Sequence, residues 1–136
     1  MSTNPLPAPA PRINPESKQF WEATAEGRLL LRQCKDCETI IYYPRALCPE
    51  CSSFNTDWIE ASGNGEIYSF TVNHRGDGPY KDSAPFVIAY VELDEGPRMM
   101  TNIVDTDPSS VEVGQRVRVV FHDTGEGSAL PRFSPA

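Results

Sequence analysis

All four cysteines of this 136-residue chain lie within one segment, CKDCETIIYYPRALCPEC, residues 34–51. They form two C-x-x-C pairs, Cys34/Cys37 and Cys48/Cys51, with ten residues between the pairs. Cysteines in this pattern can form disulfides in a secreted protein, a redox couple in a βαβ context, or a tetrahedral thiolate site for zinc or iron. The spacing leaves these alternatives open, but a second C-x-x-C pair adds nothing to a redox site.

Zinc is the interpretation that we favour, because this metal takes four soft ligands at tetrahedral corners. Two C-x-x-C knuckles on a hairpin supply four thiolates at tetrahedral corners, although the ten-residue gap is shorter than the roughly 15 to 20 residues of the common pattern. Because every ligand would be a cysteine, no coordination position would remain for a substrate. We therefore expect a structural zinc ion.

The composition is typical of a soluble globular protein, with 39% hydrophobic and 23% charged residues. The first fifteen residues contain five prolines and lack the basic start and apolar run of a secretory signal. No stretch approaches the roughly 20 apolar residues of a membrane span. We expect a cytoplasmic protein with reduced thiols, in which residues 1–14 form a flexible proline-rich tail.

The region around the cysteines predicts a helix and a ribbon. Asn14-Pro15 is typical of a helix cap with proline at the first position, and Gly27 is a good terminator, so we expect a helix over about 15–26. The run Leu29–Leu31 then leads into the first knuckle as a strand. The ten residues ETIIYYPRAL fit two short strands and a turn. Residues 15–60 are assigned to the helix and zinc ribbon.

Residues 61–136 follow a strand pattern. EIYSFTVNH alternates, with Tyr68, Phe70 and Val72 on one face, and FVIAYVEL is a continuous apolar run as in a strand buried on both faces. RMMTNIVD and VEVGQRVRVVFHD predict further strands, and ALPRFSP a short last one. Four or five strands with turns between them indicate a small closed barrel of the OB type. The predicted fold class is therefore mainly β.

These elements, in this order, resemble a family of zinc-ribbon/OB-fold proteins that accompany thiolase-like enzymes. The matching segments are FWEATAEGRLLLRQCKDC, YYPRALCPEC, GNGEIYSFTVNH, PFVIAYVELDEGPRMMTNIVD, VEVGQRVRVVFHD and LPRF, which cover nearly everything after residue 14. The resemblance implies a rubredoxin-like zinc ribbon with ligands Cys34, Cys37, Cys48 and Cys51. A glycine often follows the second cysteine of each knuckle in this family, whereas this chain has Glu38 and Ser52.

The resemblance also implies a function. Members of this family are non-catalytic subunits or domains that dock on thiolases, acyl-CoA synthases or retro-aldol lyases, in steroid side-chain breakdown or on simpler acyl groups. They help hold coenzyme A thioesters and complete the active complex. The resemblance thus predicts a hetero-oligomer with a thiolase-like protein, and acyl-CoA as the ligand of the complex.

One loop carries the residue types that coenzyme A needs. The segment NHRGDGPYKDSAP, residues 73–85, is long for a compact domain and brings cations and an aromatic side chain together: His74, Arg75, Tyr80 and Lys81. Phosphates need cations and an adenine needs a flat stacking surface. An ordinary solvated hairpin loop is the alternative interpretation. Arg45, beside Pro44 in the ribbon, is a second candidate.

No catalytic set is visible in the sequence. His74 and His122 are the only histidines, and neither has a nucleophile or carboxylate in a recognised catalytic spacing. We therefore expect no catalysis by this chain alone. Phe20 and Trp21 are expected to pack on the ribbon rather than to contact a partner.

Two other classes of function must be weighed. Zinc ribbons and OB barrels also bind nucleic acid, but such modules are usually basic, and this chain has 12 Lys and Arg against 19 Asp and Glu, a net charge of −7. Long-range electrostatics would oppose binding to a polyanion. A zinc-stabilised scaffold with no small ligand is the other alternative.

Overall fold

The computed structural model describes residues 6–136, so the first five residues of the expected tail lie outside the described residues. The described chain contains one α-helix, eight strands and two short 3₁₀ turns, Gly78–Tyr80 and Pro108–Ser110. These elements are α1 (Lys18–Ala25), β1 (Leu30–Cys34), β2 (Ile40–Ile41), β3 (Thr56–Glu60), β4 (Asn64–Asn73), β5 (Phe86–Leu93), β6 (Arg98–Ile103), β7 (Arg116–Asp123) and β8 (Ala129–Pro135). No helix within residues 6–136 is long and apolar enough to cross a membrane.

The helix begins later than the sequence pattern predicts. Asn14 does not cap it, because both its side-chain and its main-chain oxygen accept from the Ser17 N–H, at 2.8 and 3.1 Å, and close a separate turn. Ser17 is the N-cap and the helix starts at Lys18. Its end agrees with the prediction: Gly27 has φ of 75°, and the N–H of the following Arg28 bonds back to the Ala23 carbonyl.

The ribbon is a three-stranded antiparallel sheet with β1 in the centre, between β2 and β3. The prediction of two strands between the cysteine pairs was wrong, because only Ile40–Ile41 forms one there. The chain then reaches Pro44, which has no N–H to extend a ladder. The other partner of β1 is β3, which follows the second knuckle and pairs from Leu30↔Glu60 to Cys34↔Thr56.

The remaining five strands form the predicted closed barrel, in the order β4-β5-β6-β8-β7. All neighbouring pairs are antiparallel except β6 and β8, which meet in parallel at Ile103↔Phe133. This order closes the sheet without free strand edges, as in OB-fold barrels. The chain is therefore mainly β, with one short helix, a ribbon and an OB-type barrel.

Two faces of the barrel differ from the predicted pattern. A bulge between Ile67 and Ser69 shifts the alternation of β4, so that Tyr68 points outward and is 49% exposed, while Phe70 and Val72 pack against the core. Strand β5 is not buried on both faces, because Tyr90 is 48% exposed. The inward residues Val87, Ala89, Val91 and Leu93 are buried, whereas the outer side of β5 is covered at Phe86 and open at Tyr90 within residues 6–136.

The helix joins the ribbon to the barrel. Phe20 and Trp21 are buried, as expected, and the Trp21 indole N–H donates to the Tyr43 hydroxyl at 2.8 Å. On its other side, the Thr24 hydroxyl accepts from the Ala129 N–H of β8 at 3.0 Å. One hydrophobic cluster includes α1, the start of β1 and the inward residues of the barrel. The base of the ribbon and the barrel therefore share a core.

Candidate metal centre and ligand face

The four cysteines converge at the end of the ribbon. Their sulfur atoms all lie within 4.8 Å of one another, with Cys34 Sγ 3.5 Å from Cys51 Sγ and Cys37 Sγ 3.6 Å from Cys48 Sγ. A disulfide needs about 2.05 Å, so the cysteines are free thiols. Zinc–sulfur bonds of about 2.3 Å in a tetrahedron separate the sulfur atoms by about 3.8 Å. The arrangement fits one tetrahedral metal ion.

The backbone of both knuckles follows the same path. The N–H of Glu38 bonds to the Cys34 carbonyl and that of Ser52 to the Cys48 carbonyl, both at 2.9 Å. Glu38 and Ser52 have φ of 66° and 62°. This is the left-handed conformation that glycine adopts most easily. The two positions where this chain lacks the glycine frequent in the family therefore have the backbone conformation that favours glycine.

Hydrogen bonds within the cluster shift the pKa values of Cys37 and Cys51 in opposite directions. A hydrogen bond with the Thr39 hydroxyl lowers the pKa of Cys37 to about 6. The Ser53 N–H lowers the pKa of Cys51, but hydrogen bonds with the sulfur atoms of Cys34 and Cys37 outweigh it and raise that pKa to about 12. Four thiolates this close repel one another unless a cation neutralises them. The donor set is the soft one that zinc prefers.

The two knuckles are also tied together by an acidic side chain. Asp36, in the first knuckle, accepts from the Ser53 hydroxyl, which follows the second knuckle, and from Asn55 Nδ2 at 3.1 Å. The hydrogen bond from Ser53, and secondarily that from Asn55, lowers the pKa of Asp36. The first knuckle is thus linked by hydrogen bonds to the residues that follow the second knuckle, independently of the sulfur atoms.

The predicted ligand loop, residues 73–85, connects β4 to β5 at one end of the barrel. His74, Arg75 and Lys81 are exposed. Within residues 6–136, neither Arg75 nor Lys81 forms an ion pair, whereas Arg45 of the ribbon lies 3.9 Å from Glu16. The loop therefore presents two exposed cations without an ion pair in the described chain, together with the exposed carboxylates of Asp77 and Asp82. Within residues 6–136, no hydrogen bond or ion pair joins Arg45, the second candidate, to this loop.

Gly76 determines the path of this loop. A Cβ atom at Gly76 would lie 2.1 Å from the Tyr80 carbonyl oxygen and 2.7 Å from its carbon. Both are backbone atoms that cannot turn away, so no other residue fits here without moving the chain. At Gly78, two residues on, a Cβ atom would meet nothing within 4 Å, although φ is 58°. The loop is closely packed at one glycine and open at the other.

Arg132, a buried arginine that the sequence pattern did not reveal, holds the 73–85 loop through a hydrogen bond to Tyr80. Arg132 of β8 is 2% exposed and donates to the Tyr80 hydroxyl at 3.2 Å, to His122 Nδ1 at 2.8 Å and to the Pro7 carbonyl at 2.5 Å. These acceptors come from the loop, from β7 and from the N-terminal segment. Desolvation, and secondarily the charge of Arg132, lowers the pKa of His122. A neutral His122 can accept this hydrogen bond.

Beside the loop, the outer face of the barrel has a pocket of about 270 Å³. Its lining combines apolar side chains with a few polar groups: Tyr80, Phe86, Ile88, Met100, Thr101 and Asn102. Tyr80 comes from the loop, its ring centroid 5.5 Å from that of Phe86, and the other residues come from β5 and β6. The second and third strands of an OB barrel, with the loop between its first two strands, form the usual ligand face of this fold.

Comparison with known proteins agrees with both halves of this architecture. Residues 21–57 match the family model described as the rubredoxin-like zinc ribbon domain of ChsH2, and residues 58–122 match its C-terminal OB-fold domain. A DUF35 domain-containing scaffold protein of Methanothermobacter thermautotrophicus is 39% identical over 95 residues, 69% of this chain and 71% of the relative. This chain belongs to the ChsH2 (DUF35) family.

Other members of the ChsH2 (DUF35) family have names that refer to acyl-CoA enzymes. A probable enoyl-CoA hydratase alpha subunit of Thermomonospora curvata is 38% identical over 128 residues, 94% of this chain but 40% of the relative, so this chain spans less than half of that protein. The benzoylsuccinyl-CoA thiolase subunit BbsA of Thauera aromatica is 28% identical over 103 residues, 74% of this chain and 70% of the relative.

The fold of the ChsH2 (DUF35) family is also seen in a solved structure. A chain of the Ltp2-ChsH2(DUF35) aldolase superposes with a TM-score of 0.82 and 36% identity, over 93% of this chain and 98% of that chain. The similarity therefore includes the ribbon, the helix and the barrel together.

Proposed function

We propose that this chain is a non-catalytic accessory subunit of a thiolase- or aldolase-like acyl-CoA enzyme, and that it completes the active complex of its partner. The similarity to the ChsH2(DUF35) chain of an aldolase, over nearly the whole of both chains, carries the proposal. The names of the hydratase and thiolase relatives point to the same class of complex.

The metal site has a structural role in this proposal. Cys34, Cys37, Cys48 and Cys51 hold one zinc ion, which supplies four bonds that fix the two knuckles relative to each other. All four ligands come from the protein, so the ion offers no position to a substrate. The zinc ion thereby keeps both knuckles in one conformation, in which this chain can bind its partner.

The loop 73–85 and the adjoining pocket form the ligand site in this proposal. Arg75 and Lys81 neutralise phosphates of coenzyme A, with His74 beside them, while the ring of Tyr80 covers the start of the apolar pocket. This assignment is supported by the exposure of both cations, by their lack of ion pairs within residues 6–136 and by the position of Tyr80 at the pocket. Positioning of a bound thioester can contribute several kcal/mol to a reaction.

The decisive experiment compares the partner with and without this chain. The thiolase-like protein that copurifies with it is produced alone, and acyl-CoA turnover is measured before and after this chain is added. We expect substantial turnover only with both proteins. A partner that is fully active alone refutes the accessory role.

A double variant then tests the ligand loop. Arg75→Ala with Lys81→Ala should raise the KM for acyl-CoA about tenfold or more, since each lost charge-assisted hydrogen bond is worth about 1.5–3 kcal/mol when the group is desolvated. Zinc content and thermal stability should not change, because both side chains are exposed. Arg118→Ala is the control, since Arg118 is also exposed and without an ion pair in the described chain, but lies on β7. Unchanged kinetics in the double variant would reject the loop and leave the accessory role standing.

A further inference from the structure

The outer face of the barrel over β4, β5 and β6 carries an exposed strip of large side chains. Tyr68, Tyr90 and Met100 are 49%, 48% and 61% exposed, and Tyr90 and Met100 are directly opposite each other in the strand register. Arg98 lies over the ring of Tyr68 at 3.7 Å. We call these four residues the aromatic strip.

The strip contrasts with another face of the same barrel. On β7, the outward residues around the buried Val117 are Arg116 and Arg118, as on a sheet surface that faces water. The outward residues of β5 and β6 include the exposed Tyr90 and Met100 instead. Tyrosine, methionine and arginine are the residue types enriched in protein interfaces. One side of the barrel is thus solvated in character, and the other has the composition of a contact surface.

Charge indicates which surface would fit the strip. Arg98 is the only cation of the strip, and its Nε atom lies 3.0 Å from Oε2 of Glu92, which neutralises it. The chain as a whole has a formal net charge of −7. Exposed Glu66, the register partner of Glu92, adds a polar margin. An apolar centre with a charged margin is the usual anatomy of a protein interface. The complementary surface is therefore uncharged and apolar at its centre, which excludes a polyanion.

We infer that the aromatic strip is the docking surface for the thiolase-like subunit, through an uncharged apolar patch of that subunit. This inference rests on the proposed function and specifies where the partner binds. The strip is continuous with the proposed ligand site, since Met100 belongs to both the strip and the pocket lining. A partner seated on the strip would therefore lie next to the pocket.

The test measures binding of the purified thiolase-like subunit to variants of this chain by calorimetry. Met100→Glu places an unpaired charge at the centre of the strip, and Tyr90→Ala removes a candidate anchor. Both side chains are about half exposed or more, so folding should be preserved. We expect each variant to weaken binding at least about tenfold. Val113→Glu is the matched control, because Val113 is an apolar residue 66% exposed before β7, and it should bind within about twofold of the wild type.

The possible outcomes separate the two proposals. If the wild-type chain does not bind the subunit, the accessory role fails and the docking surface with it. If the wild type binds and Met100→Glu binds equally well, the strip is refuted while the accessory role stands. Phe54→Glu tests the ribbon, where Phe54 is 77% exposed, and a loss of binding confined to that variant also refutes the strip. A wild-type dimer in light scattering that Met100→Glu dissociates would identify the strip as a self-association surface and overturn the inference.

Discussion

Loss of the metal should unfold the two knuckles and leave the barrel folded. The perturbation is Cys48→Ser, which removes one of the two fully buried sulfur atoms of the centre. The reasoning depends on how the buried side chains are grouped. Cys34, Ile41 and Cys48 form a small cluster of their own, whereas the start of β1 belongs to the large cluster of the helix and the barrel.

The magnitudes indicate that the knuckles cannot stay ordered without the metal. Fixing the backbone costs about 1–2 kcal/mol per residue, so the ten residues 34–38 and 48–52 cost on the order of 10–20 kcal/mol. Burial of Ile41 returns only about 1.5–3 kcal/mol. Structural zinc contributes about 10–16 kcal/mol in small metal-binding peptides, which is the size of the deficit. The barrel has its own core and does not depend on this term.

Two measurements check this prediction. Metal analysis should find about one equivalent of zinc in the wild type, purified without added zinc, and far less in Cys48→Ser. Hydrogen exchange followed by mass spectrometry should show rapid exchange over residues 34–38 and 48–52 of the variant and unchanged protection of β4 to β8. Glu50→Gln is the control, because Glu50 lies between the cysteines of the same knuckle but is exposed.

Three results would refute the reasoning. Cysteines oxidised in pairs, with little zinc in the wild type, would show that the site is not a metal centre. Knuckles that stay protected in metal-free Cys48→Ser would show that the small cluster suffices to order them. Loss of protection throughout the barrel would show that the two clusters are not independent.

Four further predictions concern the loop, a knuckle, the pH dependence and the class of ligand. Gly76→Ala should reduce acyl-CoA turnover of the complex about as strongly as the loss of the loop cations, because its Cβ atom collides with the Tyr80 backbone. Gly78→Ala has open space but a left-handed φ of 58°, so it should have the smaller effect in the same assay. Ser52→Gly should stabilise the zinc-bound protein by up to about 1 kcal/mol in thermal unfolding, because φ of 62° suits glycine, and a destabilised variant would contradict this. Burial keeps the pKa of His122 below its ordinary 6.5. As the pH falls, the unfolded chain therefore binds a proton at His122 before the folded chain does. The stability contributed by neutral His122 is present above about pH 6.5 and is lost as the pH falls below that value. Thermal unfolding of His122→Gln should therefore depend less on pH between 7 and 5 than that of the wild type, and equal slopes would count against the assignment. Single-stranded DNA or RNA should bind with a Kd no lower than about millimolar at physiological salt, because the chain carries 12 cations against 19 acids. Fluorescence anisotropy measures this affinity. Micromolar binding with a steep salt dependence would revive the nucleic-acid alternative.

The parts of the fold that were predictable from the sequence have local signatures. The two C-x-x-C pairs indicated a metal site, although their spacing alone left disulfides and a redox couple open. Alternating or continuous apolar runs indicated all five barrel strands. Tyr68 was misplaced because a β-bulge leaves no mark in the alternation it interrupts. The start of α1 was misplaced because Asn14 forms a turn with Ser17 with the same side chain that would cap a helix.

The features that were missed depend on contacts between distant parts of the chain. Arg132 donates to the carbonyl of Pro7, 125 positions earlier in the chain, and to Tyr80, 52 positions earlier. In the sequence, Arg132 alternates with apolar neighbours and is indistinguishable from a solvated strand residue. Only the closure of the barrel places it under the loop. The pocket is likewise formed by β5, β6 and the loop together, and no single segment predicts it.

The separation of the small knuckle cluster from the large core has a consequence for how the complex can be dissected. If the barrel remains folded without zinc, Cys48→Ser presents the loop, the pocket and the aromatic strip without ordered knuckles. A partner that docks on the strip should then still bind, and any loss of acyl-CoA turnover would be due to the knuckles alone. A partner that needs the ribbon, where Leu47 and Phe54 are exposed beside the metal centre, should no longer bind. The variant that tests the metal site therefore also distinguishes a partner held by the barrel from one held by the ribbon.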